Sequence, residues 1–88
     1  MTKTKLPVWF KGEVYEKGET IMNRFTGEEA DCTAEETSMY DFIMGCEMVI
    51  EMHGGFASEK ALHHIKEMRK GLDWFRRSNP SAYMTLLD

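Results

Sequence analysis

The apolar positions between Thr33 and Met52 recur with helical spacing and fall into two stripes. Successive residues of an α-helix point about 100° apart, which places one broad apolar stripe along one side of this segment. Its members are Met39, Phe42, Ile43, Cys46, Val49 and Ile50. A second stripe repeats at every fourth residue on another side of the helix and contains Met44, Met48 and Met52. A helix with two apolar sides needs two surfaces to pack against.

The two ends of this helix carry residues that favour helix boundaries. The run Thr33-Ala34-Glu35-Glu36 fits a capping box, in which the first and last residues satisfy each other's backbone N–H groups. The run His53-Gly54-Gly55 is typical of a helix end, because glycine adopts the left-handed conformation at little cost. The pattern therefore predicts a helix over 34–52.

A second helical pattern follows and predicts a helix over 58–77, starting near Ser58. Its apolar stripe contains Ala61, Ile65, Met68, Leu72 and Phe75. Asn79 and Pro80 fit the cap and first position of a short third helix over 80–87. Since a Gly-Gly turn joins the first two helices, we expect them to be antiparallel neighbours.

Residues 7–32 contain short β-forming runs separated by turn signals. The runs are Val8–Phe10, Val14–Tyr15, Thr20–Met22 and Glu29–Cys32. We expect an antiparallel β-hairpin or a three-stranded meander packed on the helical hairpin. The whole sequence, 1–88, is thus predicted to form a single α+β domain.

Composition narrows the class of protein. The chain has 88 residues, of which 42% are hydrophobic, enough for one modest core. No run approaches the roughly 20 apolar residues that cross a bilayer, so we expect no membrane association. The segment 1–7 lacks the apolar stretch of an export signal. We therefore expect a cytoplasmic protein in which Cys32 and Cys46 are reduced.

The motifs that carry catalysis or ligand binding are missing from the sequence. There is no glycine-rich phosphate loop. The spacing of Cys32 and Cys46 relative to His53, His63 and His64 does not fit a zinc site. Cys46 lies on the broad apolar stripe, where a thiol acts as a small hydrophobe. We expect a protein that is not an enzyme, with no catalytic residue, no metal and no cofactor.

Charge is distributed unevenly along the chain. Residues 28–58 carry eight acids and no Lys or Arg, whereas residues 59–88 carry six bases and four acids. Two interpretations stay open: the acidic segment packs beside the basic one, or it presents an acidic patch to a partner.

The methionine stripe and Trp74 are the candidate partner-binding residues. Met44, Met48 and Met52 are either covered by the sheet or form an exposed interface, for which flexible methionine is well suited. Trp74 lies off the apolar stripe of its helix and is either covered by the third helix or exposed as a hot spot. The hypothesis is a small non-enzymatic interaction module that binds a protein partner or a second copy of itself as a homodimer.

Nucleic-acid binding is the alternative function. Five basic residues share one broad face of the second helix: Lys66, Arg69, Lys70, Arg76 and Arg77. Together with Trp74 at the border of this face, they are of the kind that binds a phosphate backbone and stacks a base. Glu59 and Asp73 on the same face, and a sequence pI of about 5.3, argue against it.

Several short runs carry a resemblance to a group of viral proteins. They are Phe25-Thr26-Gly27-Glu28 followed by Thr33, then Tyr40-Asp41-Phe42-Ile43, Gly71-Leu72-Asp73-Trp74-Phe75-Arg76, Asn79-Pro80 and Tyr83-Met84. With these runs the chain resembles small uncharacterised proteins of tailed bacteriophages, particularly marine ones. The resemblance implies a phage accessory protein that acts in the host cytoplasm by binding another protein, and it assigns no catalytic residue.

Overall fold

The computed structural model describes residues 5–88 and shows an α+β fold. A two-stranded antiparallel hairpin is followed by two long helices and a short third one, so the prediction of fold class is confirmed. The elements are β1 (Glu19–Met22), β2 (Glu29–Cys32), α1 (Ala34–Met52), α2 (Leu62–Ser78) and α3 (Pro80–Leu86). Residues 1–4, which contribute to the expectation of no export signal, lie outside the described residues.

The hairpin is closed by a turn built around Asn23. β1 and β2 pair in a register that places Met22 opposite Glu29. The side-chain Oδ1 of Asn23 accepts the backbone N–H of Phe25 at 2.8 Å, and Gly27 has a φ of 80°. A left-handed residue is needed here, and glycine adopts that conformation without steric cost.

Residues 7–18 form no strand, so the prediction of strands at Val8–Phe10 and Val14–Tyr15 is wrong and the sheet is a hairpin rather than a three-stranded meander. The consecutive side chains of Trp9 and Phe10 both lie against Phe42, with ring centroids 6.0 and 5.3 Å away. Neighbouring residues of a strand point to opposite faces. Two neighbours can contact one ring only if the chain leaves the extended conformation.

The ends of α1 lie at the predicted residues. Thr33 Oγ1 accepts the backbone N–H of Glu36 at 3.2 Å, and Glu36 Oε1 accepts that of Thr33 at 3.0 Å, which completes the capping box. At the other end, Gly54 and Gly55 have φ values of 101° and 91°. Both values lie in the region that glycine favours, and so the helix ends where the Gly-Gly pair begins.

The second helix starts later than predicted because its first turn is a 3₁₀ helix. Ser58 accepts the backbone N–H of Lys60 at 3.2 Å and caps the turn Glu59–Ala61, after which α2 begins at Leu62. α3 ends one residue before the predicted 87. Its cap is Asn79, whose Oδ1 accepts the backbone N–H of Ala82 at 3.1 Å. No helix within residues 5–88 has the length and hydropathy needed to cross a membrane.

The core lies between α1 and α2, with α3 and the hairpin packed at one end. Its fully buried side chains include Met39, Ile43, Ile50 and Phe75. Gly71 of α2 is buried against α1, and a Cβ at this position would lie 2.9 Å from Ile43 Cγ1. The close approach of the two helices depends on the absence of a side chain at this residue.

Long-range hydrogen bonds hold the irregular N-terminal segment and α3 in place. The backbone N–H of Tyr15 donates to the Oγ of fully buried Ser38 at 2.8 Å. The indole N–H of Trp74 donates to the carbonyl of Lys5 at 3.1 Å. Each bond ties a segment without regular structure to one of the long helices.

Two asparagine side chains attach α3 to the rest of the fold through hydrogen bonds. Asn23 Nδ2 donates to the carbonyl of Thr85 at 2.9 Å, and Asn79 Nδ2 donates to Glu36 Oε1 at 3.1 Å. The short helix is thus fixed to the hairpin turn near its end and to the start of α1 at its own start.

Candidate functional site

The three methionines of the second stripe differ in burial. Met44 is half-buried and packs against the core, whereas Met48 is 65% exposed and Met52 is 76% exposed. The broad stripe meanwhile supplies buried core residues, including Met39 and Ile43. Intramolecular packing therefore covers only one end of the methionine stripe.

A cleft of about 370 Å³ runs between α1 and β1 beside these methionines. It is lined by Met22, Arg24, Tyr40, Met44, Glu47, Met48 and Glu51. Met22, which is 55% exposed, comes from the strand, where Ile21 packs against the core instead. Successive strand residues point to opposite faces, so the hairpin adds a fourth methionine to the stripe.

An adjoining cleft of about 200 Å³ continues past the hairpin turn to the end of α3. It shares Arg24, Tyr40, Met44 and Glu47 with the first cleft and adds Asn23, Phe25, Leu86, Leu87 and Asp88. We call the two together the methionine groove. Its lining comes from α1, the hairpin and the end of α3.

The methionine groove is acidic. Its charged side chains are Glu47, Glu51, Asp88 and Arg24, three negative and one positive, for a net formal charge of −2. Arg24 lies 5.6 Å from the ring centroid of Phe25 and forms no ion pair with another residue of the described chain. Burial raises the pKa of Tyr40, while nearby Arg24 acts in the opposite direction. Its hydroxyl is neutral at physiological pH and can donate a hydrogen bond.

Trp74 lies in a different cleft, which we call the tryptophan cleft. Its volume is about 360 Å³, and it is lined by Trp9, Lys70, Asp73, Trp74, Arg77 and Ser78. Lys70 Nζ lies 4.7 Å from the ring centroid of Trp9 and 2.7 Å from a carboxylate oxygen of Glu67. Through Trp9 and Lys5, the N-terminal segment lies beside Trp74, a contact that helical periodicity could not indicate.

Four of the five predicted basic residues are divided between two clefts. Arg69 and Arg76 line a cleft of about 260 Å³ with Leu72, Asp73 and Tyr83, which meets the tryptophan cleft at Asp73. The Asp73 carboxylate accepts from Arg76 at 2.8 Å and lies 3.3 Å from Arg77. Lys66 is exposed and lines neither cleft.

The two thiols lie in surroundings that suppress their reactivity. Burial raises the pKa of Cys32 to about 11, with a smaller contribution from Glu36. Burial also raises the pKa of Cys46. Because the thiolate is the reactive form, neither group is suited to act as a nucleophile at neutral pH.

The structure brings together three histidines that spacing along one helix did not connect. The ring of His53, after the end of α1, stacks on His64 of α2 with centroids 6.1 Å apart, and His63 lies 5.3 Å from His64. Across residues 5–88, no three His, Cys, Asp or Glu side chains come together in a group that could hold a metal ion.

The chain was compared with known proteins at three levels. No family model matches it, and the curated proteins and the solved structures give no match either. The grooves and their chemistry are therefore the basis for assigning a function.

Proposed function

We propose that this chain is a non-enzymatic protein-interaction module that binds a basic amphipathic segment of another protein in the methionine groove. The observation that carries the proposal is the exposure of Met48 and Met52, at 65% and 76%, together with that of Met22, at 55%. Met22 and Met48 line the first cleft, and Met52 lies one helical turn beyond Met48, outside the lining of the groove. An exposed apolar patch with a polar rim is typical of interaction sites.

The exposed end of the methionine stripe, Met48 and Met52, is in excess of what the fold needs. The broad stripe of α1 already supplies the core, where Met39, Ile43 and Ile50 are fully buried. Met48 and Met52 gain little from folding, and both would gain from burial against a partner at about 25 cal/mol per Å² of apolar area. Methionine also adapts its shape to a bound helix because its side chain is unbranched and polarisable.

The charge of the groove determines which segments it accepts. Glu47 and Glu51 lie along one edge of the stripe, and the whole of residues 28–58 carries no Lys or Arg. A partner helix with apolar residues at i, i+3 and i+7 and lysines or arginines beside them would match both the stripe and its rim.

The same charges oppose the pairing of two copies through this surface. In a two-fold symmetric dimer, one patch meets an identical patch. Antiparallel pairing of two methionine stripes would bring Glu47 and Glu51 close to the same two carboxylates of the second copy. Like charges facing each other in an interface are unfavourable, so a basic partner fits better than a homodimer.

The test is a binding measurement with a designed peptide. A labelled helical peptide with leucines at i, i+3 and i+7 and intervening lysines is titrated with the protein by fluorescence anisotropy. We expect Met22→Glu together with Met48→Glu, at the two exposed methionines that line the groove, to weaken binding at least tenfold. Met84→Glu is the matched control, because Met84 is a 68% exposed methionine on α3 that does not line the groove.

Two results would overturn the proposal. The first is equal binding by the double variant and the control while circular dichroism shows both folded. The second is a sedimentation experiment that gives a dimer broken by the double variant, which would assign the groove to self-association. The phage origin and the cytoplasmic location stay predictions from the resemblance and the composition.

A further inference from the structure

We infer that the tryptophan cleft binds a nucleotide, with its base against the indole rings and its phosphate on Lys70 and Arg77. The cleft shares no lining residue with the methionine groove. Its volume of about 360 Å³ lies within the ~300–1,000 Å³ of typical small-molecule sites.

Both aromatic walls of the cleft are held in place by contacts within the protein. Trp9 packs against Phe42 with ring centroids 6.0 Å apart. Trp74 is fixed through its indole N–H, which donates to the carbonyl of Lys5. Both rings are half-buried, so each keeps some surface for a ligand. Rings fixed before binding lose little conformational entropy when a base stacks on them.

The cations of the cleft keep donors for an anion. Lys70 has three N–H donors. Its ammonium group contacts the Glu67 carboxylate at 2.7 Å and the Trp9 ring at 4.7 Å from the centroid, and the remaining donor capacity is available to an anion. Arg77 lies 3.3 Å from Asp73, a carboxylate that already accepts a shorter bond of 2.8 Å from Arg76. A guanidinium has five N–H donors, most of which are not used here.

The charge around the tryptophan cleft is opposite in sign to the net charge of the whole chain. The linings of this cleft and of the one it meets at Asp73 contain four positive side chains, Arg69, Lys70, Arg76 and Arg77, and the negative Asp73. Counting also Glu67, which lies 2.7 Å from Lys70 Nζ, the local net charge is +2. The complete sequence has a net charge of −4. A local excess of positive charge attracts anions whatever the sign of the total.

One further feature favours a nucleotide over a simple anion. The adjoining cleft repeats the combination of cation and ring, with Tyr83 beside Arg69 and Arg76. The shared chemistry is a base with a phosphate, whether free or as one unit of a single strand.

Tryptophan fluorescence reports directly on this cleft, because Trp9 and Trp74 are the only tryptophans of the chain. Adenosine 5′-monophosphate, adenosine, inorganic phosphate and a 12-nucleotide single-stranded oligodeoxyadenylate are titrated at low salt. We expect the monophosphate to quench the emission and to bind more tightly than adenosine or phosphate alone. If the oligonucleotide binds at least tenfold more tightly than the monophosphate, the ligand is a unit of a single strand. If the two affinities are equal, the ligand is a free nucleotide.

Variants that remove one positive charge distinguish binding in this cleft from a general attraction of anions to a basic helix. Arg77→Gln and Lys70→Gln should each weaken the monophosphate affinity about tenfold, a typical value for a charge-assisted hydrogen bond. Lys66→Gln is the matched control, since it removes the same charge from the same helix at a residue that lines neither cleft. The inference fails if none of the probes changes the emission, if phosphate binds as tightly as the monophosphate, or if Lys66→Gln weakens binding as much as Arg77→Gln.

Discussion

The same substitution in the two long helices should have opposite effects on stability. Gly45 lies in α1 and is exposed, and a Cβ added there meets no atom within 4 Å. Gly71 lies in α2 and is buried against Ile43 and Met39. We expect Gly45→Ala to stabilise the protein and Gly71→Ala to destabilise it.

The magnitudes follow from the helix propensity and the local space. Alanine in place of a helix-interior glycine gains about 1 kcal/mol, and at Gly45 nothing opposes this gain. At Gly71 the new Cβ would lie 2.9 Å from Ile43 Cγ1 and 3.2 Å from Met39 Sδ, closer than the ~3.5–4.0 Å of ordinary contacts. Overpacking of a core costs about 1–3 kcal/mol. Gly71→Ala should therefore lose up to about 2 kcal/mol net, and it should be less stable than Gly45→Ala by about 1–3 kcal/mol.

Urea unfolding followed by circular dichroism at 222 nm measures both variants against the parent chain. For a domain of this size, 1 kcal/mol corresponds to a change of about 4–8 °C in Tm, which thermal unfolding checks independently. If Gly71→Ala stabilised the protein as much as Gly45→Ala, the close approach of α1 and α2 at this residue would be incorrect.

Three further changes test other contacts. Ser38→Ala removes the acceptor of the backbone N–H of half-buried Tyr15 and should cost about 0.5–1.5 kcal/mol in urea unfolding. Asn79→Ala removes the cap of α3 and a donor to Glu36, with an expected loss of about 1–2 kcal/mol; an unchanged midpoint would exclude this role. Native Cys32, with its pKa raised from 9.0 to about 11, should contain about 100-fold less thiolate at pH 8 than in urea and react correspondingly slowly with thiol reagents. Since the unfolded thiol ionises first, the free energy of unfolding should fall as the pH rises from 9.0 through about 11.

Local signals made the helices predictable from the sequence. The capping box at Thr33 and the glycines after Met52 each act within one helical turn. As predicted, α1 begins after Thr33 and ends at Met52. The conformation of the N-terminal segment depends instead on contacts with residues that are distant in the sequence. Its strand-forming residues include Trp9, whose position depends on Phe42 and Lys70, and no property of residues 7–18 alone encodes that contact.

The candidate sites show the same division. Helical periodicity placed Met44 and Met48 on one side of α1, and both line the groove. Met22 and Arg24 join them only because the hairpin docks beside that helix. The basic face of α2 was likewise visible in the sequence, whereas the second tryptophan of its cleft comes from a distant segment. Periodicity identifies a face of one element, and tertiary packing supplies the opposite wall.

The irregular N-terminal segment has a consequence for the opening motions of the protein. Between residues 7 and 18, only the backbone N–H groups of Phe10 and Tyr15 have hydrogen-bond partners within the described chain. We expect this segment to open more readily than α1 and α2 unfold, and each opening would expose the Tyr15 amide to exchange with deuterium. Detachment carries Trp9 away from Trp74 and so dismantles the cleft between them. A ligand bound there would slow deuterium uptake at the Tyr15 amide, although that amide does not line the cleft.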